Sequence, residues 1–131
     1  MSRPAPARCV AVIDIGKSNA KLTLVDMETC SEIAVRSMAN IQLTNAPYPH
    51  ADTEGIWDFL CKSLAEMNRI RPIEAICCTT HGATAALVSS SGELVLPVLD
   101  YEYSGPDVCD NEYGRLRPEF SQSMTPPLPG D

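Results

Sequence analysis

The sequence predicts an α/β fold in which a crossover helix joins strands of one mixed sheet. Residues 9–15 form a nearly unbroken apolar run that includes one acid, a pattern typical of a central strand buried on both faces. Residues 21–26 and 33–36 alternate between apolar and polar side chains, which predicts an antiparallel three-stranded meander. From Thr53 the apolar period becomes helical, and a second apolar run follows at residues 73–80. The helix is therefore predicted to cross over the sheet.

The predicted helix has recognisable start and stop signals. Asp52 or Thr53 can cap its N-terminus, and Pro72 ends it. Its apolar stripe comprises Ile56, Leu60, Leu64 and Met67, widened by Trp57 and Cys61. The following run, residues 73–80, is predicted to be a buried strand in which the adjacent Cys77 and Cys78 act as small hydrophobes.

The rest of the chain carries weaker patterns. Residues 85–88 and 93–99 flank a Ser-Ser-Ser-Gly turn at residues 89–92, which predicts a hairpin. Residues 101–110 are predicted to be a loop, residues 110–116 a short helix, and residues 118–131, with four prolines, a loop. We expect residues 1–8 to be a flexible leader and residues 9–131 to form one partial domain.

Composition excludes several classes of function. The net charge of −7, without a dense run of Lys or Arg, argues against nucleic-acid binding. No stretch reaches the roughly 18 apolar residues of a membrane span. None of the six cysteines forms a CxxC pair, which argues against a zinc site. Without a signal peptide, a reduced cytoplasmic location is predicted for a protein that handles a small ligand.

The sharpest motif runs from Asp14 to Asn19, between the first two predicted strands. A tight glycine-containing hairpin presents backbone N–H groups to phosphate, and an acid at the strand end can hold a hydrated Mg²⁺. A β-turn with a solvated acid explains the same residues equally well. A Walker A loop does not, because Ala11 stands where that motif requires glycine and a strand pattern follows.

Two later features could bind a polyol. The stretch Thr79 to Gly82 ends a predicted strand, where ligands gather in α/β sheets. The plainer alternative is that His81 only hydrogen-bonds a loop. Asp100 and Glu102 follow the predicted hairpin, and acids accept hydrogen bonds from sugar hydroxyls, although a solvated acidic loop is equally common.

The order of these features resembles the N-terminal domain of the FGGY carbohydrate kinases. The features are the Asp-Ile-Gly hairpin, the helix near Trp57, the Thr-His-Gly stretch and Leu-Pro-Val-Leu-Asp at residues 96–100. The resemblance implies a ribonuclease-H-like (actin-like ATPase) fold, incomplete in this chain. It also implies phosphorylation of a sugar or polyol hydroxyl with ATP and Mg²⁺. Because members of this family are several times longer, the chain is expected to be inactive alone and to self-associate through uncovered surface.

The resemblance also assigns residues. Asp14 matches the acid near Mg²⁺, held through water, and the phosphate and ATP contacts fall on Gly16, Lys17, Ser18 and Lys21. Lys17 departs from the usual Thr or Ser. His81 and Gly82 match the sugar-binding stretch, and Asp100 or Glu102 matches the acidic sugar-binding position, where the family's usual Trp is absent. The general base is not in this chain. Rival hypotheses are a non-catalytic sugar- or partner-binding module of the same fold, and a relative acting on another substrate.

Overall fold

In the computed structural model, which describes residues 8–124, the predicted meander is confirmed. It consists of strands β1 (Cys9–Ile15), β2 (Asn19–Asp26) and β3 (Ser31–Ala39). Short strands β4 (Gln42–Leu43) and β5 (His50–Ala51) form a separate two-stranded sheet. Helix α1 (Thr53–Ile70) then returns the chain to β6 (Ala75–Thr80), which pairs with β1 in parallel. The main sheet has the order β3-β2-β1-β6, so the mixed sheet with a crossover helix is also confirmed.

The core lies between α1 and one face of this sheet. Its buried members are Cys9, Ala11 and Ile13 of β1, Leu22 and Leu24 of β2, and Leu60 and Met67 of α1. The intervening residues of β1, such as Val10 and Val12, are only half-buried. The prediction that β1 is buried on both faces is therefore wrong, because α1 covers one face only.

Helix α1 begins and ends close to the predicted residues. The side chain of Asp52 accepts a hydrogen bond from the Gly55 amide at 2.9 Å, so Asp52 is the N-cap. The predicted apolar stripe is too wide, however. Trp57 is 65% exposed and Cys61 is exposed, whereas Leu60 and Met67 are buried. The core therefore takes in a narrower stripe of the helix than predicted.

Strand β6 is exposed along its whole length, which contradicts its predicted burial. Ile76 is 54% exposed, and Cys77 and Cys78 are both exposed free thiols rather than core hydrophobes. The reason is that β6 lies at the edge of the described four-stranded sheet, beyond the part that α1 covers, because α1 packs mainly on β2 and β3.

The described residues divide into two compact units. The first comprises the described residues up to Leu43 together with Ala51–Gly82, and the second comprises Thr44–His50 with the described residues from Ala83 onward. Residues 1–7 of the predicted leader and residues 125–131 of the predicted terminal loop lie outside the described part. Within that part, no helix is long and apolar enough to cross a membrane.

In the second unit the predicted turn at residues 89–92 is present, with Gly92 at a φ of 84°. The two flanking segments form a single bridge, Val88 to Leu94, instead of the predicted strands. Residues 110–116 form the predicted short helix, α2 (Asp110–Leu116). The predicted loops contain a 3₁₀ turn (Gly105–Cys109) and a one-turn helix, α3 (Phe120–Ser123).

Candidate functional site

Polar side chains form a row across the main sheet at one end of β1. Asp14 lies opposite Lys21 of β2 and beside Thr79 of β6, and Lys21 in turn lies opposite Ser37 of β3. Residues in register across neighbouring strands share a face of the sheet. Since Ile13 faces the core, Asp14 and its row occupy the face opposite α1.

An open depression of about 540 Å³ adjoins this row. The residues that line it are Asp14, Gly16, Ser18, Asn19, Lys21 and Ser37. Four of the five residues predicted for the phosphate site are thus brought together, and Lys17 is the one that does not line the depression. Asp14 is the one carboxylate among the lining residues. In the described chain, no group of three or more His, Cys, Asp or Glu side chains could hold a metal ion.

The hairpin between β1 and β2 is held by hydrogen bonds within itself and from β3. The Gly16 amide donates to the Asn19 carbonyl at 2.9 Å, which closes the turn. The Asn40 side chain, just beyond β3, donates through Nδ2 to the Gly16 carbonyl at 2.8 Å. The hairpin is therefore an ordered turn, and its Gly16 amide is already used within it.

His81 lies beside the same hairpin, at the end of β6. Its backbone amide and its ring Nδ1 both lie 3.1 Å from the Ile15 carbonyl oxygen, which the Thr80 hydroxyl also contacts at 3.0 Å. A carbonyl oxygen only accepts, so Nδ1 carries the proton of this ring in that contact. A Cβ on the neighbouring Gly82 would meet no described atom within 4 Å, so packing does not require glycine there. The contact ties His81 to the end of β1, and its sugar contact stays a prediction.

The acidic stretch predicted to bind sugar lies in the second unit. Asp100 accepts a hydrogen bond from the Glu102 amide at 3.2 Å, and its own carbonyl accepts one from the Tyr103 amide at 2.9 Å. Asp100 is half-buried and Glu102 is exposed. The Asp100 carboxylate thus organises the turn that presents Glu102, and the role of each in sugar binding stays a prediction.

Ser37 and Asn40 were not predicted from the sequence, and Asn19 was predicted only as the last residue of the motif that begins at Asp14. Asn19 and Ser37 line the depression, and Asn40 supports the turn from β3. The sequence offers one signal for Asn40, a short amide side chain directly after an alternating strand. Ser37 carries no such signal, because its place beside Lys21 depends on the register between β2 and β3.

A second cluster of charges lies at the other end of β1. The Arg71 guanidinium hydrogen-bonds the Asp26 carboxylate, which also accepts the Glu28 amide at 2.8 Å. The hydrogen bond from Arg71, followed by that from the Glu28 amide, lowers the pKa of Asp26 below its usual value of 3.8. This cluster ties the turn after β2 to the end of α1 and was not predicted.

Similarity to known proteins is found among solved structures. No protein-family model matches the chain, and no curated protein sequence matches it. Among solved structures, a carbohydrate kinase from Novosphingobium aromaticivorans is 30% identical, with a TM-score of 0.80 over 92% of this chain and 26% of that chain. A ligand-bound xylulose kinase from Lactobacillus acidophilus is 17% identical, with a TM-score of 0.66 over 88% of this chain and 24% of that one. A Plasmodium falciparum glycerol kinase with ADP is 13% identical, with a TM-score of 0.67 over 89% of this chain and 25% of that one.

The two less similar structures support the fold alone, and the first adds a likeness of sequence. All three extend well beyond the matched segment, because the chain spans about a quarter of the length of each. The chain is thus a segment with the fold of the solved carbohydrate kinases, and its likeness to the first of them extends to the sequence.

Proposed function

We propose that the chain supplies the phosphate-binding part of a kinase that transfers a phosphoryl group from ATP to a sugar or polyol hydroxyl. The observation that carries the proposal is that Asp14, Gly16, Ser18 and Lys21 line one depression, in a chain 30% identical to the matched quarter of a carbohydrate kinase. We further propose that the fold is ribonuclease-H-like and that residues 9–131 are one part of a larger catalytic domain.

The lining residues fit Mg²⁺ and ATP. Mg²⁺ usually keeps several waters and is held by one or two carboxylates together with phosphates, which suits the single carboxylate of Asp14. When bound, the Mg²⁺–ATP complex supplies the phosphoryl group and neutralises its developing charge. The Lys21 ammonium would contact phosphate oxygens, and the Ser18 hydroxyl would donate to them. We assign no phosphate contact to the Gly16 amide, because it already donates to Asn19.

For the acceptor, a sugar or polyol, we propose contacts from His81 and Gly82 in the first unit, and separately from either Asp100 or Glu102 in the second. The Nδ1 atom of the His81 ring contacts the Ile15 carbonyl, which fixes the ring at the end of β1. Because the chain spans about a quarter of its solved relatives, we propose that these 131 residues do not turn over ATP by themselves.

The phosphate site can be tested on the chain itself by titrating Mg²⁺–ATP into ¹⁵N-labelled protein. We expect amide shifts concentrated between Gly16 and Lys21, and Asp14→Asn should weaken the affinity about tenfold or more, since hydrogen bonds to charged groups are the strong ones. The matched control is Asp58→Asn, an exposed carboxylate on α1 that pairs with Lys62, which should bind like the wild type. Unchanged affinity in Asp14→Asn would show that the acid is only part of a turn.

The sugar site is tested by titrating a panel of sugars and polyols and following the two histidine rings. We expect the His81 signals to move and those of His50 to stay, since His50 is buried and its Nδ1 lies 2.7 Å from the Tyr48 carbonyl. Movement of His50 alone would contradict the assignment. Sugar binding without any response to Mg²⁺–ATP would favour the non-catalytic binding module.

A further inference from the structure

Asn40 is the residue that connects the end of β3 to the β1–β2 hairpin. Its side-chain Nδ2 donates to the Gly16 carbonyl at 2.8 Å, and its backbone amide donates to the Ser18 carbonyl at 2.9 Å. One residue therefore holds two carbonyl groups of the turn whose other atoms line the depression. Neither contact is local, because Asn40 lies 24 residues beyond Gly16.

These two hydrogen bonds also orient backbone donors. A peptide unit is planar and trans, so a fixed carbonyl fixes the N–H group of the next residue in the opposite direction. Holding the Gly16 carbonyl orients the amide of Lys17, and holding the Ser18 carbonyl orients the amide of Asn19. On the other flank, the His81 amide and ring hold the Ile15 carbonyl. The hairpin is thus braced from both neighbouring strands.

The side-chain oxygen of Asn40 indicates that the residue serves a purpose other than stability. The Oδ1 atom is buried and has no hydrogen-bond partner within the part of the chain that the structure describes. A buried polar atom without a partner is costly, so asparagine is a poor choice for stability alone. The residue makes sense if its Nδ2 donor is needed at the Gly16 carbonyl.

We propose that Asn40 is a positioning residue for the phosphate hairpin: its side chain fixes the Gly16–Lys17 peptide, and with it the place of Ser18 and Asn19 at the depression, before phosphate binds. This inference rests on the proposed function for its ligand, an ATP phosphate, but not for the brace itself. Preorganised amides avoid the cost of ordering the turn on binding, so loss of the brace weakens binding rather than folding.

The test compares Asn40→Ala and Asn40→Asp with the control Asn111→Ala, the same truncation at an exposed position of α2. Asn40→Ala removes the donor to Gly16, and Asn40→Asp places a carboxylate oxygen against a carbonyl oxygen. First, hydrogen exchange of the Gly16 amide is measured without ligand. We expect exchange about tenfold faster in Asn40→Ala, because the turn that the Gly16 amide closes opens more readily without the Asn40 hydrogen bond. Exchange should be faster still in Asn40→Asp and unchanged in the control.

Second, Mg²⁺–ATP affinity is measured from the amide shifts of the hairpin, with the melting temperature of each variant as a check on the fold. We expect affinity about tenfold weaker in Asn40→Ala and weaker again in Asn40→Asp, with core amides exchanging as in the wild type. A purely structural Asn40 would lower the melting temperature and leave the affinity of the folded protein unchanged.

The outcomes separate the two proposals. If the wild type binds Mg²⁺–ATP and Asn40→Ala binds it equally well, the positioning role is overturned while the proposed function stands. If the wild type shows no response to Mg²⁺–ATP at the hairpin, the proposed function is refuted, and so is the role of Asn40 in phosphate binding. In that case unchanged Gly16 exchange in Asn40→Ala would overturn the brace as well, and faster exchange would establish it.

Discussion

Leu22→Ala is expected to lower the free energy of unfolding by about 4 kcal/mol. Leu22 is 0% exposed, lies opposite Ile13 in the sheet, and belongs to the same core cluster as Leu60 and Met67 of α1. Buried Leu→Ala changes cost about 2.7–5.0 kcal/mol, and the cost rises with the cavity that remains. Since β1 and β3 flank Leu22 and α1 packs on the sheet, the cavity left by the mutation cannot collapse freely. The expected cost therefore lies in the upper half of that range.

The assay is urea denaturation followed by far-ultraviolet circular dichroism. With a slope of about 2 kcal/mol per molar urea, a loss of about 4 kcal/mol lowers the midpoint by about 2 M. The matched control is Leu87→Ala, where the side chain is 62% exposed and the expected cost is below about 0.5 kcal/mol. A loss under about 1 kcal/mol for Leu22→Ala, or one equal to the control, would refute the assignment of the core.

Three further predictions concern the same unit. Asp52→Ala should cost about 1 kcal/mol in urea denaturation, because it removes the cap on the Gly55 amide, and no loss would mean that the cap is dispensable. Arg71 lowers the pKa of Asp26 in the folded chain below the unfolded value of about 3.8. The contact therefore stabilises the folded chain above about pH 3.8, and this stabilisation is lost as the pH falls through the folded pKa. Asp26→Asn should therefore destabilise the chain at pH 7 and converge with the wild type in acid, and a deficit that stays constant with pH would contradict this. If the chain self-associates through the exposed edge strand β6, as we predict, Ile76→Lys should reduce that association in sedimentation experiments, and a monomeric wild type or an undiminished oligomer would contradict the prediction.

The exposed strand β6 shows where sequence reasoning failed. An apolar run bounded by polar residues is typical of a strand buried on both faces, and residues 75–78 have that composition. Burial, however, depends on what lies beside and over a strand, and β6 is paired on one side only in the described sheet. Burial of Trp57 likewise depends on what lies over it. Its position in the helix suits the apolar stripe, yet its side chain is exposed.

The sequence by itself determined the elements whose causes are local. The alternation of β2 and β3, the capped helix α1, the turn at Gly92 and the hairpin at Gly16 each depend on residues a few positions apart. The tertiary structure decided which residues meet at the depression. Asn40 reaches Gly16 across 24 residues and His81 reaches Ile15 across 66, and strand register alone places Ser37 beside Lys21. Such contacts follow from strand order and register, because a shift of one residue moves every side chain to the other face.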